Sequence, residues 1–168
     1  MEYELKRIST AGIPEAISKV ELYRGLNEPE EAESICRDIL VTEPDHQLAL
    51  RLLGLSLTDQ FAGGPSDRDR EAERILQSLG DPYERLYYTG IVYERRAKAQ
   101  LRAGQPAYSL LPLFEHALRL FAEAETIRPE GNDDAILRWN RCVRLLQTHS
   151  YVWEQESAPF DALDSSPA

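Results

Sequence analysis

The chain is poor in several features that would point to particular classes of protein. Its 168 residues include two cysteines and three histidines. No apolar run approaches the roughly 20 residues of a membrane span. The opening segment, residues 1–12, lacks the apolar stretch of a secretory signal. We therefore expect a cytoplasmic protein whose cysteines, Cys36 and Cys142, are reduced, buried and functionally silent.

Positive charge is also scarce. Nineteen Lys and Arg residues face 29 Asp and Glu residues, which gives a formal net charge of -10. Nucleic acid and anionic membranes both attract basic surfaces, so we expect neither of them as a partner. Acidity of this kind chiefly favours solubility.

Motifs that carry chemistry are missing as well. His46, His116 and His149 fall in no metal-binding or catalytic spacing, and Gly63-Gly64 lacks the Gly-Lys-Ser/Thr ending of a phosphate loop. The sequence thus predicts no catalytic residue, no metal ion and no cofactor. One alternative stays open, in which folding assembles a Cys-His pair from distant segments.

Helical periodicity is what the sequence does contain. Apolar residues recur at steps of three and four in seven segments, and no segment has convincing strand alternation. Pro and Gly separate the segments: Pro29 and Pro82 suit first helical turns, and Asp45, Asp81 and either Ser66 or Asp67 suit caps. Pro112 is expected to delay or kink its helix. We predict an all-α protein with short connections between antiparallel neighbours.

The segments also repeat. Ala32 precedes Pro44 by twelve residues, as Ala117 precedes Pro129, and Gly54 and Gly90 each precede a large residue by three. This pattern resembles the tetratricopeptide repeat, a helix-turn-helix unit of about 34 residues with small residues where its helices cross. The resemblance covers about residues 13–149. It weakens at Lys19-Val20, where the family has Leu-Gly, and the repeat lengthens along the chain.

The resemblance implies a right-handed superhelix of about three helix pairs and a C-terminal capping helix. On this basis residues 13–150 form the repeat domain, residues 1–12 an arm and residues 151–168 a flexible tail. Gly54, Gly90, Ala32 and Ala117 are expected where helices approach closely, since larger side chains there would overpack the contact.

A function follows from the same resemblance. Proteins of this family expose the first helix of each pair on a concave face, which implies a non-catalytic scaffold that binds a peptide segment of a partner protein. Arginines among apolar anchors predict a partner segment with acidic groups. The implied concave-face residues are Ile17, Glu21, Arg24, Leu48, Arg51, Leu55, Tyr87, Ile91, Arg95, Arg138 and Arg141.

Several alternatives remain at this stage. Neighbouring helices would cover Leu48, Leu55 and Ile91 in a bundle, and the arginines would then pair with surface glutamates such as Glu21, Glu84 and Glu94. A specialised chaperone for a secreted or assembling client is the second function that the resemblance allows. Self-association through the concave or outer face is the third.

Overall fold

Seven α-helices make up most of the protein. The computed structural model describes residues 3–149, and within them it contains no β-strand, which confirms the all-α prediction. In the described part of the arm, residues 3–9 form no helix and a single 3-10 turn follows at Thr10–Gly12. The predicted flexible tail lies outside the described residues. The helices are α1 (Ile13–Gly25), α2 (Pro29–Thr42), α3 (Gln47–Asp59), α4 (Asp67–Gln77), α5 (Pro82–Arg102), α6 (Ala107–Thr126) and α7 (Asp134–Thr148).

Polar side chains begin three of the helices. Asp81 accepts a hydrogen bond from the Glu84 N–H at 3.0 Å, with Pro82 in the first turn of α5, as the sequence predicts. Ser66 and Asp69 cap α4 reciprocally. The prediction of Asp45 as the cap of α3 is wrong, because His46 Nδ1 accepts from the Ala49 N–H at 3.2 Å. Each cap satisfies a backbone donor that has no partner within its helix.

Pro112 does not delay its helix. The first residue of α6 is Ala107, so Pro112 lies inside the second turn. Proline there removes one backbone hydrogen bond close to the helix start, where the loss is tolerated better than in the helix centre. The predicted delay is therefore wrong, and Pro106, at the N-cap, marks the boundary instead.

Helices pack in chain order. Each helix from α1 to α6 contacts the next one, and α3 also contacts both α1 and α5. This arrangement places the first helix of each successive pair beside the first helix of the next. It leaves one side of α1, α3 and α5 as a shared surface.

Small residues permit this packing. A Cβ atom added at Gly54 would overlap the Leu76 side chain, and one added at Gly90 would lie 2.6 Å from Phe121 Cε1. Ala32 and Ala117 are fully buried. The predicted close approaches are confirmed at the two glycines, where a larger side chain would force Leu76 or Phe121 to move.

The core has two parts that meet at α5. The first lies among α1–α4 and includes Val92 of α5, and the second lies among α5, α6 and α7 around Phe114 and Phe121. Tyr88 packs against both. α5 is thereby held from several sides, which makes it a rigid base for the polar side chains that it carries.

Candidate ligand-binding cleft

Five basic side chains converge on one cleft. The cleft has a volume of about 350 Å³ and lies where α5 meets the C-terminal ends of α1 and α3, with α7 at its border. Its lining is almost entirely polar. The lining residues are Arg24, Asn27, Pro29, Thr58, Asp59, Arg95, Lys98, Arg102 and Arg138.

Helical spacing brings most of these cations together. Arg95, Lys98 and Arg102 are three and four residues apart on α5, so they share one side of that helix. Arg24 lies in the last turn of α1, and Arg138 lies on α7. Packing of α1 and α7 near α5 then adds their arginines to the cations that α5 already presents.

Asp59, at the end of α3, joins two of the arginines. Arg24 Nε and Nη2 donate to the two carboxylate oxygens of Asp59 at 2.7 and 3.3 Å. Arg95 Nη1 also donates to Asp59, and to the Thr58 hydroxyl oxygen at 2.7 Å. One carboxylate therefore connects α1, α3 and α5, in the two-point geometry that favours arginine.

A second carboxylate lies beneath the cleft. Glu94 is fully buried, and it accepts hydrogen bonds from Lys98 and from Arg138 Nη1, the latter at 3.3 Å. A buried carboxylate needs such partners, because desolvation of an unpaired charge is very costly. The Glu94 pairs also connect α5 to α7.

The cleft carries an excess of positive charge. Five cations face two carboxylates, Asp59 and Glu94, which leaves three positive charges uncompensated among the described residues. Burial lowers the pKa of Arg95, Asp59 opposes the shift, and the positive charges of Arg24 and Arg138 add to it. Like charges are thus crowded here, in a chain whose net charge is -10.

Three of the predicted arginines line this cleft, and two do not. Arg24, Arg95 and Arg138 are brought together. Arg51 instead donates to Glu84 at 2.6 Å and lies over the Tyr88 ring, 5.7 Å from its centroid. Arg141 is exposed and is not part of the lining. Pairing of arginine with surface glutamate, the alternative left open above, is therefore what occurs at Arg51.

The predicted apolar anchors offer less surface than expected. Ile91 is only 2% exposed and Tyr87 only 8% exposed, because both pack into the second core. Neither can serve as a surface anchor in this conformation. Leu48, Leu55 and Ile17 are half-buried, and Glu21 is exposed.

Three charged residues of the cleft lining, Asp59, Lys98 and Arg102, were not predicted from the sequence. Lys98 and Arg102 could have been found, since steps of three and seven residues from Arg95 place them on the same side of α5. Asp59 had no such signal. Its role depends on the contact between α1, α3 and α5, which no local pattern encodes.

The histidines have local structural contacts. His46 caps α3, His149 is the C-cap residue of α7, and His116 stacks on Tyr93 with ring centroids 4.0 Å apart. Among residues 3–149, no group of three His, Cys, Asp or Glu side chains could hold a metal ion.

Both cysteines are buried and free, as predicted. Burial raises the pKa of the Cys36 thiol to about 12. Burial, followed by the charge of Glu94, raises the pKa of the Cys142 thiol to about 12 as well. Thiolate, the nucleophilic form, is therefore very scarce at neutral pH.

Comparison with known proteins adds no relative. No family model, no curated protein and no solved structure matches the chain. Among the described helices, none is both long enough and apolar enough to cross a membrane.

Proposed function

We propose that the protein is a non-catalytic scaffold that binds a segment of a partner protein across the side shared by α1, α3 and α5. The basic cleft takes acidic groups of that segment, while half-buried residues of the same helices, such as Leu55, contact its apolar side chains. The arrangement that we assign is a tetratricopeptide-like superhelix in the cytoplasm.

The uncompensated positive charge of the cleft carries this proposal. Three excess positive charges within one concavity are costly in the absence of a ligand, yet they attract an acidic segment that the rest of the surface would repel. Arginine recognises carboxylate and phosphate groups through paired hydrogen bonds. Binding of a carboxylate or phosphate group of the partner is the simplest role for the basic residues of the cleft.

The helix arrangement supports a repeat scaffold. Sequential packing, contacts from α3 to both α1 and α5, and crossings through Gly54 and Gly90 are features that the tetratricopeptide resemblance implies. Extended surfaces of stacked helix pairs commonly bind partner segments.

Ile91 and Tyr87 are buried, so they offer no apolar surface to a partner segment. With fewer apolar anchors, recognition depends more on charge, and charged contacts at an accessible surface are screened by salt. Partner binding should therefore weaken markedly as ionic strength rises.

Affinity capture from native lysate tests the proposal. Immobilised full-length protein is compared with Arg102→Glu, in the cleft, and with Arg144→Glu, an equal change of charge at an exposed position outside the lining. Proteins that use the cleft are retained by the parent chain and by Arg144→Glu, and lost by Arg102→Glu and in high salt. An identical set of captured proteins with all three baits would refute the role of the cleft.

A further inference from the structure

The charge state of the cleft constrains the group that fills it. Asp59 already occupies the carboxylate position between Arg24 and Arg95, through three hydrogen bonds. A second carboxylate beside it would add one negative charge against an excess of three. A group with two negative charges and more acceptor oxygens compensates the site far better.

The free donors lie on the other side of the cleft. Within residues 3–149, the Arg102 side chain makes no hydrogen bond and no ion pair, although it lines the same concavity. Lys98 gives one of its three N–H groups to Glu94, and Arg138 hydrogen-bonds to the same carboxylate and to Tyr87. Most donors of these three cations therefore remain available to a ligand.

We propose that the cleft binds a phosphorylated side chain of the partner protein, with the phosphate held by Arg102, Lys98 and Arg138. This inference rests on the proposed scaffold function. A phosphate monoester carries about -1.5 to -2 charges at neutral pH and has three strong acceptor oxygens, against one charge and two oxygens for a carboxylate. It matches both the charge excess and the number of free donors.

The shape of the site agrees with this ligand. The guanidinium groups of Arg102 and Arg138 come from different helices and can approach one phosphate from two directions. Lys98, one helical turn before Arg102 on α5, adds a compact positive charge. Asp59 holds Arg24 and Arg95 in place, so that the ligand meets a preformed edge of the cleft.

Short synthetic peptides test the proposal directly. The full-length ¹⁵N-labelled protein is titrated with a five-residue alanine peptide that carries a central phosphoserine, with the same peptide carrying glutamate or serine, and with inorganic phosphate. We expect saturable amide shifts at the cleft residues with the phosphopeptide, binding at least 5-fold weaker for glutamate and for inorganic phosphate, and no shifts with serine. Equal affinity for glutamate, or for inorganic phosphate alone, would overturn a phosphorylated side chain as the ligand.

Variants locate the binding. Arg102→Gln should weaken phosphopeptide binding at least 10-fold, whereas the matched Arg144→Gln should change it less than 2-fold. Circular dichroism confirms that both variants remain helical. Equal effects of the two substitutions would show that the peptide responds to general charge and not to the cleft.

Treatment with phosphatase distinguishes the phosphate assignment from the proposed scaffold function. A partner captured through the cleft is treated with phosphatase and tested again against the parent chain and Arg102→Gln. Loss of binding supports the phosphate assignment. Binding that survives phosphatase but still requires Arg102 overturns that assignment and leaves the scaffold function standing, whereas binding that never required Arg102 refutes both.

Discussion

Two arginines one residue apart on α5 have opposite surroundings. Arg95 belongs to the basic cleft, where cations outnumber carboxylates. Arg96 points to the other side, into a cluster that we call the Arg96 cluster. Its members are Asp69, Glu73, Tyr93, Arg96 and His116.

In the Arg96 cluster two carboxylates, Asp69 and Glu73, face one arginine. Arg96 Nη2 lies 3.3 Å from Glu73 Oε2, its Nε lies 4.0 Å from Asp69 Oδ2, and its guanidinium lies over the Tyr93 ring at 5.0 Å. The Tyr93 hydroxyl donates to Glu73 at 2.7 Å. Opposite charges and ring contacts of this kind join α4, α5 and α6, although Asp69 Oδ1 and Arg96 Nε have no hydrogen-bond partner among the described residues.

The contrast between the two sides shows how to separate structural from functional arginines. A packed arginine that pairs with buried carboxylates stabilises the fold, and its loss is measured in unfolding. An arginine without a carboxylate partner contributes little to the stability of the fold, and its loss is expected to lower the affinity for a ligand. Substitutions of the two kinds should therefore differ in whether they change the free energy of unfolding or the affinity for a ligand.

Removal of Glu94 should have the largest effect on stability. In Glu94→Ala, Lys98 and Arg138 lose their common buried carboxylate, and we expect the free energy of unfolding in urea to fall by about 3 kcal/mol. Glu123→Ala, an exposed change on α6, is the control and should stay within about 0.5 kcal/mol of the parent. A fall below about 1 kcal/mol would mean that Glu94 does not hold the base of the cleft.

The two sides of α5 are compared directly by Arg96→Met and Arg102→Met. Both keep an apolar stem and remove one positive charge. Arg96→Met leaves Asp69 and Glu73 without their cation and should lower the free energy of unfolding by about 1–3 kcal/mol. Arg102→Met should change it by less than about 0.5 kcal/mol. Equal losses would contradict the assignment of Arg102 to binding.

Asp59→Asn should sharpen the electrostatic argument. The amide removes one of the two carboxylates that offset the cleft cations, so the affinity for the phosphoserine peptide should rise about 3- to 10-fold, which corresponds to about 1 kcal/mol. The same peptide titration measures it. Unchanged affinity, with the helix content preserved, would show that the charge of Asp59 does not act on the bound ligand.

Cys142→Ala should have the smallest effect on binding. The thiol is buried beneath the cleft beside Glu94, where cysteine acts as a small apolar side chain. We expect phosphopeptide affinity within 2-fold of the parent and a loss of about 1 kcal/mol in unfolding. Cys36→Ala, in the first core, provides the matched control. A binding defect confined to Cys142→Ala in the folded protein would give this thiol a part in the site.

Local chemistry made much of the fold predictable from the sequence. Pro82 after Asp81 marks a helix start whatever surrounds it, and Gly54 and Gly90 mark close crossings because no other residue fits there. Asp45 was wrongly predicted as the cap of α3, because both Asp45 and His46 can accept the capping hydrogen bond and only the backbone geometry selects His46.

The site was predictable only in part, because it depends on which neighbours a helix acquires. Arg51 and Arg95 were both expected on the concave face, yet Arg51 pairs with Glu84 and only Arg95, which pairs with Asp59, lines the cleft. Ile91 was expected at the surface and is instead covered in the second core. Sequence spacing gives the side of a helix on which a residue lies, but not what packs against that side.

The shared carboxylate of Asp59 has a mechanical consequence. It ties the last turn of α1 to the middle of α5 through the end of α3, so that the angle between these helices and the field in the cleft depend on the same atoms. An anion strong enough to draw Arg95 away from Asp59 would release α5 from this connection, while Arg24 still held α1 to the end of α3. Occupancy of the cleft and the attachment of α5 to the first helices are therefore linked, and a distance measured between labels on α1 and α5 would report on both.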